Sequence, residues 1–134
     1  MQNTDAALAF TEPTRVERVG TSLAENLSEL RPSVVGCWDS SEDVVLAHVV
    51  ARELGVGVRP AVEVEGIVSL LRPVGEGARV VLVAESFEPR SLAALAGVMR
   101  HDGGTVVGVG AVTGPVDTTG TEAADAAVVV AEPR

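Results

Sequence analysis

The sequence has few aromatic residues, a single cysteine and no lysine. Its 134 residues include no tyrosine, no lysine, one tryptophan, two phenylalanines and one cysteine, Cys37. A single cysteine excludes an internal disulfide. No apolar run approaches the roughly 18 residues that a membrane span needs, and the N-terminus lacks the basic stretch of a secretory signal. We therefore expect a cytoplasmic protein.

Acidic side chains outnumber basic ones. Nineteen carboxylates against ten arginines give a formal charge of −9. Binding to nucleic acid depends on basic side chains that neutralise phosphates, and adhesion to anionic lipid depends on the same charges. We therefore expect neither nucleic acid nor a membrane as partner.

The apolar residues are mainly Val, Ala and Leu, and they make up most of the 46% hydrophobic content. Val-rich runs are typical of strands buried on both faces of a parallel sheet. Pro60 suggests that the second strand is an edge strand or begins there. The pattern predicts strands over 33–38, 58–64, 79–84, 105–112 and 127–131, with 67–71 either a strand or a helical turn. It predicts helices from Val16 to the Arg31–Pro32 step, from the turn at 39–42 to Gly55, and over 91–100.

This order of elements predicts an α/β fold, a Rossmann-like parallel sheet flanked by helices. Residues 1–14 show no periodicity and are interpreted as a loose N-terminal arm. Residues 15–134 are expected to form a single domain.

Three stretches of the chain resemble the type I phosphoribosyltransferases, and the orotate-type members most of all. They are residues 30–36 (LRPSVVG), 46–56 (LAHVVARELGV) and 77–83 (GARVVLV), and a helix and the strand 105–109 (TVVGV) then follow where the family would have them. Their order and spacing extend the resemblance over roughly residues 16–113. The resemblance implies a phosphoribosyltransferase-like fold and a phosphorylated ligand such as phosphoribosyl pyrophosphate (PRPP). In an active member it implies Mg²⁺ and attack by a nitrogen base at the anomeric carbon. Whether or not the chain is active, we expect a homodimer or a protein partner.

The resemblance also assigns candidate binding residues. The family's phosphate loop corresponds to residues 84–92, where Glu85 would stand for an acidic residue and Arg90 and Ser91 would contact the 5′-phosphate. Ser91 is equally interpreted as the N-cap of an ordinary helix. Ser40 and Ser41 lie in the segment that would receive pyrophosphate. Its carboxylates would hold Mg²⁺ through water or stay solvated at a capped helix.

Two further residue groups have open interpretations. Trp38 ends a strand where ligands bind in α/β folds, so it either stacks on a base or packs in the core. Residues 117–121 (DTTGT) resemble a phosphate loop but are too late in the chain, so a polar surface loop is the other interpretation. Cys37 is interpreted as an inert core thiol. No catalytic residue and no metal ligand of the protein can be assigned.

The candidate phosphate loop departs from the family's pattern. It has no glycine, Pro89 lacks an amide donor, and Glu88 places a carboxylate where a phosphate would lie. The connection 65–78, where the family has a mobile hood, carries Arg72 but no lysine. The sequence therefore predicts a degenerate phosphoribosyltransferase-like domain, a pseudoenzyme retained for ligand or partner binding.

Two alternatives stay open. One is an active, Mg²⁺-dependent phosphoribosyltransferase, a glycosyltransferase with a divergent loop. The other is a phosphosugar-binding domain of the sugar-isomerase type. Residues 83–86, before a helix, and residues 123–126, before the last strand, resemble the sequence pattern of that family.

Overall fold

The computed structural model describes residues 11–132. None of the helices in this part of the chain is long and apolar enough to cross a membrane. The chain forms α1 (Pro13–Leu27), a 3₁₀ turn (Ser28–Leu30), β1 (Val34–Trp38), α2 (Ser41–Leu54), β2 (Gly57–Val64), β3 (Ile67–Leu70), β4 (Arg79–Ala84), α3 (Pro89–His101), β5 (Thr105–Ala111) and β6 (Ala127–Val130).

The strands form one sheet in the order β3-β2-β1-β4-β5-β6. β1 is central, and its Val35 is paired with Val58 of β2 and Val81 of β4. The pairs β1–β2, β1–β4, β4–β5 and β5–β6 are parallel, whereas β2 and β3 form an antiparallel hairpin. The predicted parallel sheet is therefore confirmed, with one antiparallel strand at its edge.

Successive side chains of the inner strands enter different cores. Val35 and Val81 pack with α1 and α2, whereas their neighbours Val34 and Val80 pack with α3. Side chains of a strand alternate between the two faces of a sheet, and both faces are covered by helices here. The sequences of these strands are therefore nearly continuous runs of valine.

Glycines allow the layers of this aromatic-poor protein to approach closely. A Cβ at Gly20 of α1 would lie 2.5 Å from Cγ1 of Val49 on α2. A Cβ at Gly108 of β5 would lie 2.6 Å from Cδ1 of Leu30. Small core residues therefore bring the helices close to one another and to the sheet.

Two helices begin earlier than the sequence predicts. α1 begins at Pro13, inside the N-terminal arm expected over 1–14, and residues 1–10 of that arm lie outside the described residues. α3 begins at Pro89 and not at Ser91. In both cases the proline is the first helical residue, where its fixed φ suits the helix and its missing N–H breaks no intrahelical bond.

Pro60 does not mark an edge strand or a strand start. β2 begins at Gly57 and lies between β1 and β3. The pairing with β3 runs only from Ala61 to Val64, and Leu71 N donates to Pro60 O just beyond it. The missing N–H of Pro60 therefore lies at the end of the ladder, where an internal strand tolerates proline.

Candidate functional site

The loops after β1, β4 and β5 meet at the carboxyl edge of the sheet, where ligands bind in open α/β folds. The backbone of Glu85, the first residue after β4, joins them. Its N–H donates to Oδ1 of Asp43 on α2 at 3.2 Å. Its carbonyl accepts from the N–H of Thr113 at 2.9 Å and from the Thr113 hydroxyl at 3.3 Å. The candidate site is therefore built around a fixed Glu85 backbone.

Ser40 and Ser41 lie at the start of α2. Ser40 is the N-cap, and its Oγ accepts from the N–H of Asp43 at 3.3 Å. Ser41 is the first helical residue and is exposed. The hydroxyl of Ser40 thus stabilises the helix start, which confirms the predicted capping.

Three carboxyl groups form the acidic cluster, which we define as Glu42, Asp43 and Glu85. Burial raises the pKa of Asp43. Hydrogen bonds from Glu85 N and Ser40 lower this pKa, and the negative charge of Glu42 raises it. Burial raises the pKa of Glu85 to about 7, and the negative charges of Glu42 and Asp43 add to that shift. The expectation that the carboxylates of this segment stay solvated is therefore wrong for Asp43, which is partly buried.

The arginine that acts on Glu85 is already paired with another carboxylate. Arg15 of α1 lowers the pKa of Glu85, but its Nη2 donates to Oε1 of Glu132 at 2.7 Å. Oε2 of Glu85 and Nε of Arg15 are buried without a hydrogen-bond partner. The site therefore combines three carboxyl groups with one arginine that is held by a fourth carboxylate.

Sequence reasoning missed Arg15, Thr113 and Glu132. Thr113 and Glu132 follow the ends of β5 and β6, so the rule that carboxyl ends of parallel strands converge was a usable signal for both. Arg15 lies in the first turn of a helix that is remote in sequence. Nothing in the pattern of the chain indicates its contact.

The connection from β4 to α3 is short, and one of its side chains is apolar and buried. Phe87 is only 7% exposed and packs in the core under α3. Glu88 is at the N-cap position but its side chain makes no capping bond, and Pro89 follows as the first helical residue. Arg90 is exposed and Ser91 is half-buried in the first turn. The interpretation of Ser91 as N-cap is therefore wrong.

The two side chains at the end of β1 belong mainly to the cores. Trp38 is half-buried and packs against the core under α3, with its Nε1 buried and without a hydrogen-bond partner. Cys37 is buried on the opposite face. Burial, with smaller contributions from Asp43 and Asp39, raises the pKa of the Cys37 thiol to about 12. A thiol with such a pKa is not a nucleophile near neutral pH, as the sequence predicted.

The loop over residues 117–121 uses its polar groups internally. Oδ1 of Asp117 accepts from Thr119 N at 2.9 Å, and the Thr121 hydroxyl donates to Thr118 O at 2.8 Å. Hydrogen bonds from Thr119 lower the pKa of Asp117. The residues are arranged as a polar turn and not as a row of free amide donors.

The donor set does not fit a protein-held metal ion. Within residues 11–132, no group of three or more His, Cys, Asp or Glu side chains is placed to hold one. Oδ1 of Asp43 already accepts a hydrogen bond from the N–H of Glu85, and the carboxyl of Glu85 has a raised pKa. The Mg²⁺ that the fold implies for an active relative therefore has no ligand set among these residues.

Comparisons with known proteins assign the fold. No protein-family model and no curated protein sequence matches the chain. Solved structures do match. Adenine phosphoribosyltransferase from Thermoanaerobacter pseudethanolicus superimposes with a TM-score of 0.75 and 18% identity, over 94% of this chain and 84% of that one. The corresponding enzyme from Rhodothermus marinus gives 0.75 and 16%, over 94% and 83%.

An orotate enzyme gives the same result. Orotate phosphoribosyltransferase from Mycobacterium tuberculosis, in complex with PRPP, gives a TM-score of 0.73 and 20% identity, over 96% of this chain and 78% of that one. These likenesses confirm the α/β architecture and the resemblance predicted from sequence. The chain has the fold of the type I phosphoribosyltransferases.

Proposed function

We propose that this chain is a cytoplasmic pseudoenzyme, a domain with the phosphoribosyltransferase fold that transfers no phosphoribosyl group and is retained as a binding module. The observation that carries the proposal is the connection from β4 to α3. In an active enzyme of this fold that connection would hold the 5′-phosphate of PRPP at a helix N-terminus. The solved relatives named above include one that binds PRPP.

The connection offers a phosphate few donors and an opposing charge. A phosphate cradle needs backbone amides that converge on one anion, and glycine makes that approach possible. Residues 85–88 contain no glycine, and the buried ring of Phe87 fixes their course. Pro89 removes the first helical amide, and Glu88 places a carboxylate at the N-cap position. Both features oppose phosphate binding at α3.

The acidic cluster opposes the rest of the ligand. PRPP carries several negative charges, and like charges at short range repel one another. Glu42, Asp43 and Glu85 lie beside the loop after β1, where pyrophosphate would bind. Arg15 is the cation that acts on Glu85, and it is paired with Glu132. The electrostatic field of this edge therefore favours exclusion of PRPP.

The connection 65–78, where the family has a mobile hood, is also short. It begins with Glu65 and Gly66, both at positive φ, which form a tight turn between β2 and β3. A two-residue turn cannot close over a substrate, and β3 itself is held in the sheet by its pairing with β2. The hairpin supports the same conclusion as the phosphate loop, from a separate part of the chain.

A thermal-shift titration of the full chain with PRPP, with and without Mg²⁺, tests the proposal. Ligand at 100 times its dissociation constant would stabilise the fold by about 2.7 kcal/mol. We expect no shift up to millimolar PRPP, and no release of pyrophosphate when adenine or orotate is added as acceptor.

If a shift is seen, the double variant Arg90→Ala/Ser91→Ala tests whether the connection from β4 to α3 binds PRPP. Arg100→Ala, at the other end of α3, is the matched control for loss of an exposed arginine. A Mg²⁺-dependent shift that the double variant loses and the control keeps would contradict the proposal. So would any pyrophosphate release above the background without protein.

A further inference from the structure

Exposed large hydrophobic side chains are concentrated on one hairpin. Among the described residues they are Val64, Ile67 and Leu71, which are 64%, 71% and 56% exposed, and Val128, which is 44% exposed. The first three belong to the β2–β3 hairpin or directly follow it. A cluster of exposed apolar side chains of this kind is a candidate site of interaction.

The three side chains share one face of the sheet. Val64 is paired with Ile67, and Leu71 N bonds to Pro60 O, so Leu71 lies opposite Pro60. Residues directly opposite in an antiparallel pair, and residues two or four apart in a strand, are on the same face. The alternate residues Val68 and Leu70 pack on the other face, against the core under α3. The face that carries Ile67 and Leu71 is therefore uncovered.

The outer edge of β3 also has unpaired backbone groups. β3 ends the sheet, and the N–H of Leu71 points to β2. Because hydrogen-bonding direction alternates along a strand, the N–H and C=O groups of Val68 and Leu70 point away from β2. No residue from 67 to 71 (IVSLL) is charged or proline, although proteins commonly use such residues to protect an edge.

We propose that a second copy of this chain pairs with β3 edge to edge, antiparallel, with Val68 of each copy opposite Leu70 of the other. Strand addition of this kind satisfies the outward backbone groups. A twofold axis then passes between the Ser69 residues of the two copies. The sheet becomes continuous across the dimer.

The side chains of this register favour a second copy over an unrelated partner. With Val68 opposite Leu70, Ile67 of each copy lies opposite Leu71 of the other, on the uncovered face. An exposed pair of hydrophobic residues is thus buried twice by symmetry, as an isologous contact requires. Arg72 falls opposite Gly66, next to Glu65 of the second copy, so the flanking charges are of opposite sign.

The other edge strand, β6, exposes less apolar surface than the β2–β3 hairpin. β6 exposes Val128 alone among its large side chains. Val130 lies against Gly114 in the loop after β5, with its Cγ2 3.3 Å from the position of a Cβ at that glycine. Position 128 therefore provides matched control substitutions.

Sedimentation equilibrium over micromolar concentrations tests the dimer. We expect the wild-type chain to dimerise, and Ile67→Lys or Leu71→Lys to raise the dissociation constant by at least about 100-fold, because each removes two buried side chains from the interface. Val128→Lys adds the same charge at the other edge and should leave the dissociation constant unchanged. Circular dichroism establishes that each variant is folded.

A disulfide test fixes the register without weakening the interface. The two Ser69 residues would form a non-hydrogen-bonded pair, with Cα atoms about 4.5 Å apart, which is within the range that a disulfide bridges. Oxidation of Ser69→Cys should give a covalent dimer, whereas Val128→Cys should not. The buried Cys37 does not interfere.

Three results would overturn the proposal. They are a wild-type chain that stays monomeric throughout the concentration range, a dimer equally weakened by Val128→Lys, and a dimer in which Ser69→Cys does not cross-link. The proposal does not depend on the loss of transferase activity, since PRPP takes no part in these measurements.

Discussion

At the scale of single residues, Glu85 shows how the candidate site differs from a phosphate cradle. Its backbone is held by Asp43 and Thr113, while its carboxyl group is partly buried beside other carboxyl groups. The resulting pKa of about 7 means that this carboxyl binds a proton more readily in the folded chain. A site that disfavours the charge of one carboxylate also disfavours a bound phosphate.

Replacement of Glu85 by glutamine is expected to stabilise the protein at high pH only. The Glu85 carboxyl has an ordinary pKa of 4.5 and a folded-state pKa of about 7, so the folded chain binds more protons between these values and wild-type stability falls as pH rises. Glutamine cannot ionise. The stability of Glu85→Gln minus that of wild type should rise from pH 4.5 to 7 and stay constant above, reaching about 1 kcal/mol after allowance for solvent screening.

Urea denaturation at pH 4, 6 and 8 measures this difference. Glu63→Gln, on an exposed part of β2, controls for the loss of one negative charge from an acidic chain. A constant difference for Glu85→Gln across the series would contradict the role given to burial and to the acidic cluster.

Phe87 is expected to anchor the loop after β4. Its buried ring packs against the core under α3, and truncation of a buried phenylalanine to alanine costs about 3–5 kcal/mol. Phe87→Ala should therefore lower the free energy of unfolding by roughly 3 kcal/mol. Ser86→Ala changes the exposed neighbour and should have little effect. Equal effects of the two substitutions would show that the ring does not hold the loop.

At the scale of elements, the approach of α1 to α2 depends on one glycine. Gly20→Ala places a Cβ 2.5 Å from Val49 Cγ1, whereas a Cβ at Gly97 of α3 meets nothing within 4 Å. Overpacking costs about 1–3 kcal/mol, and alanine gains up to about 1 kcal/mol over glycine inside a helix. Chemical denaturation should show Gly20→Ala destabilised and Gly97→Ala stabilised. The same sign for both would refute the close packing of α1 on α2.

The helices and strands were predictable where a local sequence pattern indicates them. β1, β4 and β5 are buried on both faces, so their valine runs predicted them, and Gly55 marked the end of α2 as its left-handed C-cap. The first helical residues at Pro13 and Pro89 were missed, because the apolar stripe that reveals a helix begins after its first turn. β3 stayed ambiguous because it is short and its exposed Ile67 is as apolar as the half-buried Val68 and Leu70.

The candidate site was less predictable than the elements. The carboxyl edge and Glu85 follow from the order of strands, and the capping by Ser40 follows from the turn before α2. The contact from Asp43 to Glu85 and the pairing of Arg15 with Glu132 join residues remote in sequence. Only the packing of α1 and α2 onto the sheet brings them together, and no spacing in the chain records it.

At the scale of the whole molecule, the fold and the exposed apolar surface of the protein indicate different sites of binding. The sheet and its helices match those of solved phosphoribosyltransferases, but the carboxyl edge of the sheet carries an acidic cluster, and Phe87 is buried in the loop after β4. The apolar exposed surface lies elsewhere, on the β2–β3 hairpin. The proposed binding module, which keeps the scaffold and associates through a sheet edge, is consistent with both features.

Association through β3 predicts that thermal stability depends on protein concentration. Anything that binds the folded chain and not the unfolded one raises the melting temperature by mass action, and a second copy acts in this way. The wild-type melting temperature should rise between micromolar and hundred-micromolar protein, whereas that of Ile67→Lys should rise much less because its dissociation constant is at least about 100-fold higher. Val128→Lys should follow the wild type. A rise that Ile67→Lys shares in full would mean that the copies associate through another surface, since the edge pairing buries Ile67 against Leu71 of the second copy.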